Sequence, residues 1–138
     1  MAMSTSLVTG VDFVVVPTRN FDASVEFYGT VLGLPCTARY GQMPGAEFET
    51  GSLTLAVMAT EEFGMGFTPN RNPIALHVED YDAARAELES RGVAFTTDTI
   101  DSGVCHMALD LCDELFLVRR TGFEPAVAMQ NLVHDWRR

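Results

Sequence analysis

An internal repeat constrains the fold of this chain more than any other feature of its sequence. The segment NFDASVEFYGTVLGL at residues 20–34 aligns with DYDAARAELESRGV at residues 80–93, an offset of 60 residues. Each segment opens with a residue suited to cap a helix N-terminus, Asn20 or Asp80, and closes near a glycine suited to the left-handed conformation that ends a helix, Gly33 or Gly92. Both segments are predicted to form helices of about ten residues.

Strand-like stretches surround the two predicted helices in the same order. Stretches rich in β-forming residues precede the helices, at residues 11–17 and 73–78. Three further strand candidates follow each helix, at residues 36–40, 46–50 and 53–59 and at residues 93–98, 104–110 and 115–120. The sequence therefore predicts an α+β fold of two tandem βαβββ modules that form a curved mixed sheet around a concave pocket.

The length of 138 residues fits a single domain. We expect module one at about residues 9–60, a linker at 61–72, module two at about 73–120 and a tail at 121–138. The linker contains Phe63, Met65 and Phe67, and it either packs its own aromatic side chains or forms a mobile flap over a ligand. The tail has apolar residues at helical spacing and is expected to form an amphipathic helix.

Composition excludes several classes of partner. The formal charge of −10 opposes binding to the phosphate backbone of a nucleic acid, although it suits a cationic ligand. No apolar run approaches the roughly 18 residues that span a bilayer, and no secretory signal is recognisable, so we expect a cytoplasmic protein. Cys36, Cys105 and Cys112 form no C-x-x-C pair, which indicates reduced thiols rather than a zinc site.

The repeat resembles the vicinal oxygen chelate superfamily of glyoxalases, bleomycin-resistance proteins and extradiol dioxygenases. The resemblance covers residues 11–120, and its most specific piece is VDFVVVPTRNFDASVEFYGTVLGL, a strand, a turn and a helix that ends F-Y-x-x-L-G-L. LHVEDYDAARAELESRGV is similar to the family's second module. The resemblance implies the fold, but isomerases, dioxygenases, thiol transferases and drug-sequestering proteins share it.

The family's enzymes commonly hold a divalent metal through His, Glu or Gln on the first and last strand of each module. Carried over to this chain, those positions are Phe13, Pro73, residues 57–59 and a position near Leu117, none of which supplies a metal-binding side chain. The departure from the family's pattern at these positions therefore predicts a protein without a metal or other cofactor.

Strand alternation selects the residues expected to line the pocket. Residues that share parity with Phe13 and Pro73 point the same way, namely Val15 in module one and Ala75 and His77 in module two. Glu47 and Glu49 lie two apart on one strand, where they either receive a cationic ligand or form a solvated pair. The ligand-binding residues predicted from these arguments are Phe13, Val15, Glu47, Pro73, Ala75, His77, His106 and Leu117.

Three functions follow as hypotheses. The first is a metal-independent protein that sequesters or carries an apolar, aromatic or cationic small molecule, as in the bleomycin-resistance branch, whose pairing of chains implies a homodimer here. The second is a metal-independent isomerase, lyase or cyclase that uses His77, His106 or Cys105 in acid–base chemistry. The third is a metal-dependent glyoxalase or dioxygenase. It is disfavoured because the residues at the four expected metal positions cannot bind a metal ion.

Overall fold

The computed structural model of the chain describes the backbone of residues 6–70, 74–95, 100–101, 105–109 and 115–120, and the side chains of residues 6–70 and 74–95. The chain divides into two compact units, Met1–Pro69 and Asn70–Arg138. This division falls inside the predicted linker. Pro73 and the predicted tail at residues 121–138 lie outside the described residues. None of the helices in the described ranges has the length and apolar character needed to cross a membrane.

The first unit is a four-stranded mixed sheet with one helical segment. Its strands pair in the order β1-β4-β3-β2, with β1 parallel to β4 and the other pairs antiparallel. The elements are β1 (Phe13–Pro17), α1 (Phe21–Glu26), a π-helical turn (Phe27–Val31), β2 (Cys36–Arg39), β3 (Gly45–Glu49), β4 (Thr54–Met58) and a 3₁₀ turn (Thr60–Phe63).

The first predicted helix is present, but its second half has π-helical geometry. Asn20 caps it as predicted, because its side-chain oxygen accepts a hydrogen bond from the Ala23 N–H at 3.1 Å. The Leu32 N–H reaches back to the Phe27 carbonyl at 2.9 Å, which is an i→i−5 bond. This turn packs against the sheet at Gly29, where a Cβ would lie only 3.2 Å from the Phe48 ring. Sequence periodicity did not reveal the wider turn.

The core of the first unit lies between the helical segment and one face of the sheet, named here the Phe48 face. Its largest fully buried side chains are Tyr28, Phe48, Leu55 and Val57. The rings of Tyr28 and Phe48 are in contact, with centroids 6.0 Å apart. Burial of each such side chain is worth about 1.5–3 kcal/mol, so this face supplies much of the unit's stability.

The second unit repeats this topology, with strand order β5-β8-β7-β6 and the same parallel first pair. Its elements are β5 (Ile74–His77), α2 (Tyr81–Ser90), β6 (Ile100–Asp101), β7 (Cys105–Leu109) and β8 (Leu115–Arg120). Asp80 caps α2 through a 3.1 Å hydrogen bond from the Ala83 N–H. The apolar residues of α2 lie on one side of the helix, where Tyr81 is buried against Val78, Ala84, Leu88 and Phe95. The α+β class with mixed sheets is confirmed.

The strand predicted at residues 93–98 is only partly covered by the structure, because residues 96–98 lie outside the described residues. The described strand that pairs with β7 is Ile100–Asp101. The Gly92 N–H bonds to the Glu89 carbonyl and the Val93 N–H bonds to the Leu88 carbonyl. These bonds close the C-terminus of α2 around Gly92, whose φ is 92°. The Val93 N–H is therefore used to cap the helix, and Val93 does not start a strand.

Candidate functional site

The opposite face of the first sheet brings together three of the residues predicted to bind a ligand. Glu47 pairs with Ala56, which pairs with Val15, while Glu49 pairs with Thr54, which pairs with Phe13. Residues paired in this way share one face of a sheet. We name this surface the Glu47 face. Phe13 is 47% exposed on it, and Val15 and Glu47 are half-buried.

The two glutamates of this face differ in their environment. The Glu49 carboxylate accepts hydrogen bonds from the Thr54 hydroxyl at 2.7 Å and from the Gly51 N–H at 3.1 Å. The bond from Thr54 is the main cause that lowers the pKa of Glu49 below its ordinary value. Glu49 thus stabilises the turn between β3 and β4. In the part of the chain that the structure describes, no group donates a hydrogen bond to Glu47.

An aromatic wall that sequence reasoning missed stands beside Glu47. The hairpin between β2 and β3 is closed by a hydrogen bond from the Tyr40 N–H to the Gly45 carbonyl at 3.1 Å. The Tyr40 ring lies over Gly45, where a Cβ would collide with the ring carbon Cδ2. Gly45 shares the parity of Glu47 on β3, so the ring covers the Glu47 face. Phe63 meets this ring edge-on, with centroids 6.3 Å apart and planes at 83°.

The environment of Tyr40 keeps its phenol neutral. Partial burial is the larger cause that raises the pKa of Tyr40, and the negative charge of Glu47 raises it further. The electrostatic coupling agrees with the geometry, in which Gly45 under the ring and Glu47 are two residues apart on one strand. The sequence did contain a signal for this arrangement. Tyr40 and Gly45 flank a predicted turn, and Glu47 follows Gly45 by two residues, so the ring and the carboxylate could have been placed on one face.

The linker packs its aromatic side chains within the first unit. Besides the contact of Phe63 with Tyr40, the Arg19 guanidinium lies 4.4 Å from the centroid of the Phe67 ring. Arg19 also forms an ion pair with Glu61, with Nε and Oε1 3.0 Å apart. Of the two interpretations of the linker, these contacts agree with a packed segment.

In the second unit, His77 lies at the surface. Its Nε2 is 3.2 Å from Oε1 of Glu79, and the two side chains are 62% and 93% exposed. His77 pairs with Val118 in β8, and Ala75 pairs with Phe116 two residues earlier, so these positions have the same parity. The carboxylate beside the imidazole gives this histidine an orienting partner.

The remaining candidates occupy several rows of the second sheet. His106 pairs with Arg119 and Asp101, whereas Cys105 pairs with Arg120. Leu117 pairs with Leu76 and Ala108. Rows alternate between the faces of a pleated sheet, so the His106 and Leu117 rows have the opposite parity to the His77 row. The register of the strands therefore places His77 and His106 at positions of opposite parity. A joint role of the two histidines in acid–base chemistry stays a prediction.

The residues at the expected metal positions of the first unit do not fit a metal ion. Phe13 shares its face with Thr54 and Ala56 of the last strand, and neither offers the imidazole or carboxylate that such a site needs. Val57, within the span where the family's ligand was expected, pairs with Val16 on the Phe48 face and is fully buried. Among the residues described, no group of three or more His, Cys, Asp or Glu side chains is arranged to hold a metal.

Solved structures with the same fold include both enzymes and binding proteins. A superfamily member from Sphaerobacter thermophilus has a TM-score of 0.69 at 19% identity and covers 82% of this chain and 98% of its own. Lactoylglutathione lyase from Agrobacterium tumefaciens has a TM-score of 0.62 at 12% identity, covering 82% and 93%. TnmS3, an antibiotic binding protein from Streptomyces, has a TM-score of 0.63 at 19% identity, covering 84% and 98%. At these identities the likeness shows the fold alone.

A search of curated protein sequences finds no significant match. The family model for the Glyoxalase/Bleomycin resistance protein/Dioxygenase superfamily matches residues 10–108, which span the first unit and the second up to β7. The repeat, the duplicated strand order and this match agree, and the chain belongs to the glyoxalase/bleomycin resistance protein/dioxygenase superfamily.

Proposed function

We propose that this protein is a metal-independent binding protein that sequesters or carries an apolar, aromatic or cationic small molecule. The observation that carries the proposal is the composition of the Glu47 face, where Phe13 and Val15 share one surface with a carboxylate that accepts no hydrogen bond from the described residues. Apolar surface with a few placed polar groups is typical of small-molecule sites. The same fold in an antibiotic binding protein supports this class of function.

A ligand screen tests the proposal directly. Thermal-shift measurements over apolar, aromatic and cationic metabolites are expected to give hits, with dissociation constants then measured by calorimetry. Phe13→Ala should weaken binding of such a hit about tenfold, because it removes a large apolar contact. Met65→Ala is the matched control, since Met65 is 57% exposed and lies outside the sheet. A screen without any hit would overturn the proposal.

Metal independence is tested separately. Elemental analysis of protein purified without chelator should find no stoichiometric nickel, zinc, iron or manganese, and the affinity for a ligand should survive treatment with EDTA. One tightly bound metal ion per chain would contradict the argument from the ligand positions.

A metal-independent isomerase, lyase or cyclase is the second candidate. The contact of His77 with Glu79 favours it, because a carboxylate can orient an imidazole for proton transfer. Product analysis of each ligand from the screen distinguishes turnover from binding. If His77→Ala, His106→Ala and Cys105→Ala leave both turnover and affinity unchanged, these residues do not belong to the site.

The proposal includes a cytoplasmic homodimer. Exposed apolar side chains before β1 support a self-association surface: Leu7 is 101%, Val8 74% and Val11 68% exposed. Cell fractionation tests the location, and sedimentation analysis tests the assembly.

A further inference from the structure

We propose that the Glu47 face contains a subsite for an organic cation, in which Tyr40 and Phe63 supply aromatic surface and Glu47 supplies the negative charge. This inference rests on the proposed function and narrows it, because it selects a ligand with a substituted ammonium group attached to an apolar body.

The Glu47 carboxylate has small neighbours across the sheet. The neighbours of Glu47 across the sheet are Ala38 on β2 and Ala56 on β4. Both side chains are single methyl groups, so the carboxylate is flanked by small apolar surface. No described residue donates a hydrogen bond to the Glu47 carboxylate. The Glu49 carboxylate, in contrast, accepts hydrogen bonds from Thr54 and Gly51.

Aromatic side chains lie at the Gly45 end of β3. Tyr40 lies over Gly45, and Phe63 packs edge-on against it, so the two rings form a corner at this end of the strand. The negative charge of Glu47 acts on Tyr40. Tyr40, Phe63 and Glu47 are each half-buried. Aromatic faces attract cations through their quadrupole, and the attraction grows as water is excluded. Met58, which pairs with Gly45, is 9% exposed, and Ala56 is fully buried, so this end of the face is sheltered.

The composition of this subsite suits an organic cation better than a metal ion. A single carboxylate with alanine neighbours lacks the several oxygen or nitrogen ligands that a metal ion needs. Substituted ammonium groups are recognised instead by aromatic rings together with one negative charge. The raised pKa of Tyr40 agrees with this arrangement, because partial burial and the nearby negative charge of Glu47 are its two causes. The net charge of −10 further favours the approach of a cation.

The test compares two probes that have the same shape but different charge. These are para-hydroxyphenyl-trimethylammonium and its neutral isostere para-tert-butylphenol, with affinities measured by calorimetry. The ammonium probe should bind about tenfold more tightly, which is the scale of a partly sheltered cation–π and ion-pair interaction. Raising the salt concentration should reduce this preference.

Variants assign the preference to the subsite. Glu47→Gln should abolish the preference for the ammonium probe, and Tyr40→Leu and Phe63→Leu should each weaken its binding several-fold. Tyr40→Phe retains the ring and should bind like the original protein. Glu62→Gln is the control, because it removes an exposed carboxylate in the 3₁₀ turn without touching the sheet. Circular dichroism spectra of each variant check that it is folded.

Two kinds of result overturn the inference. One is equal binding of both probes, or a preference that survives Glu47→Gln. The other is failure of both probes to bind in the millimolar range. If other, neutral ligands from the metabolite screen still bind under these conditions, the proposed function stands and only the cation subsite is wrong. Failure of the entire screen would instead remove the proposed function.

Discussion

At the scale of single residues, Gly45 is the described glycine with the least room for a side chain. It lies beneath the Tyr40 ring, an arrangement in which an aromatic side chain covers a glycine across a hairpin. Gly45→Ala would drive a methyl group into the ring, so the ring must move or the strands must separate. We expect a loss of about 1–3 kcal/mol in the free energy of unfolding, measured by urea denaturation.

Two comparisons make the Gly45 prediction specific. Gly10→Ala should change stability little, because no atom lies within 4 Å of a Cβ at Gly10. In a Tyr40→Ala background, Gly45→Ala should cost much less than it does in the original protein, since the obstructing ring is absent. An equal cost in both backgrounds would show that the ring does not restrict Gly45.

Tyr40 gives a second prediction at this scale, in the alkaline range. Folding raises the pKa of Tyr40 above its ordinary value of 10.0, mainly by burial and further through Glu47. As the pH rises through this value, the unfolded chain therefore loses the phenol proton first. The contribution to stability is complete below pH 10.0 and is lost as the pH rises towards the folded-state pKa.

Unfolding measured across this range should show a decline in stability that is shallower in Tyr40→Phe. In the folded protein, titration followed by the ultraviolet absorbance of tyrosinate should show that Glu47→Gln lowers the pKa of Tyr40. Identical titrations with and without Glu47 would contradict the coupling between the two side chains.

At the scale of elements, the repeat predicted the βαβββ order along the chain and both caps because these depend on local chemistry. Asn20 and Asp80 accept the expected hydrogen bonds at the starts of α1 and α2. The π-helical turn, and the role of Val93 in closing α2 instead of starting a strand, were missed for a physical reason. The first depends on how closely Gly29 approaches Phe48, and the second on how the hydrogen bonds after Gly92 close the end of α2. Both are tertiary or turn effects that hydrophobic periodicity does not encode.

The linker is the element whose contacts most affect access to the site, because Phe63 belongs to the aromatic wall. Arg19 holds the linker through Glu61 and Phe67. Both contacts are largely exposed, so Arg19→Ala should reduce global stability by less than about 1 kcal/mol. It should instead accelerate amide hydrogen exchange selectively at residues 60–69. Arg39→Ala, an exposed arginine on β2, is the control, and equal exchange in the two variants would exclude a role for Arg19 in holding the linker.

At the scale of the whole molecule, sequence alone identified the superfamily but only part of the candidate site. Phe13 and Val15 were predicted to share a face because alternation fixes parity within a strand. Their shared face with Glu47 depends on the register between β1, β4 and β3, which the sequence did not reveal. Tyr40 and Phe63 were not predicted, since they reach this face from a hairpin turn and a linker, where no periodic rule applies. The same limit holds for His106, whose relation to His77 depends on the register of several strands.

Assembly is the remaining property of the whole molecule, and it depends on the apolar residues around β1. Among the strands that the structure describes, β1 lies at the edge of its sheet and pairs with β4 alone. Leu7, Val8 and Val11 precede it and are exposed. An edge strand with adjoining apolar surface is suited to contact a second copy, because association would bury both.

Sedimentation analysis should accordingly give twice the chain mass of 15.1 kDa. Because each chain carries a charge of −10, the two copies repel one another, so added salt should strengthen the dimer. Leu7→Glu combined with Val11→Glu should raise the dimer dissociation constant about a hundredfold, since it places further negative charge in an apolar contact. Met65→Glu, a substitution at an exposed apolar residue of the linker, is the control. A monomer at all concentrations and salt conditions, or equal effects of both variants, would exclude this surface as the dimer interface.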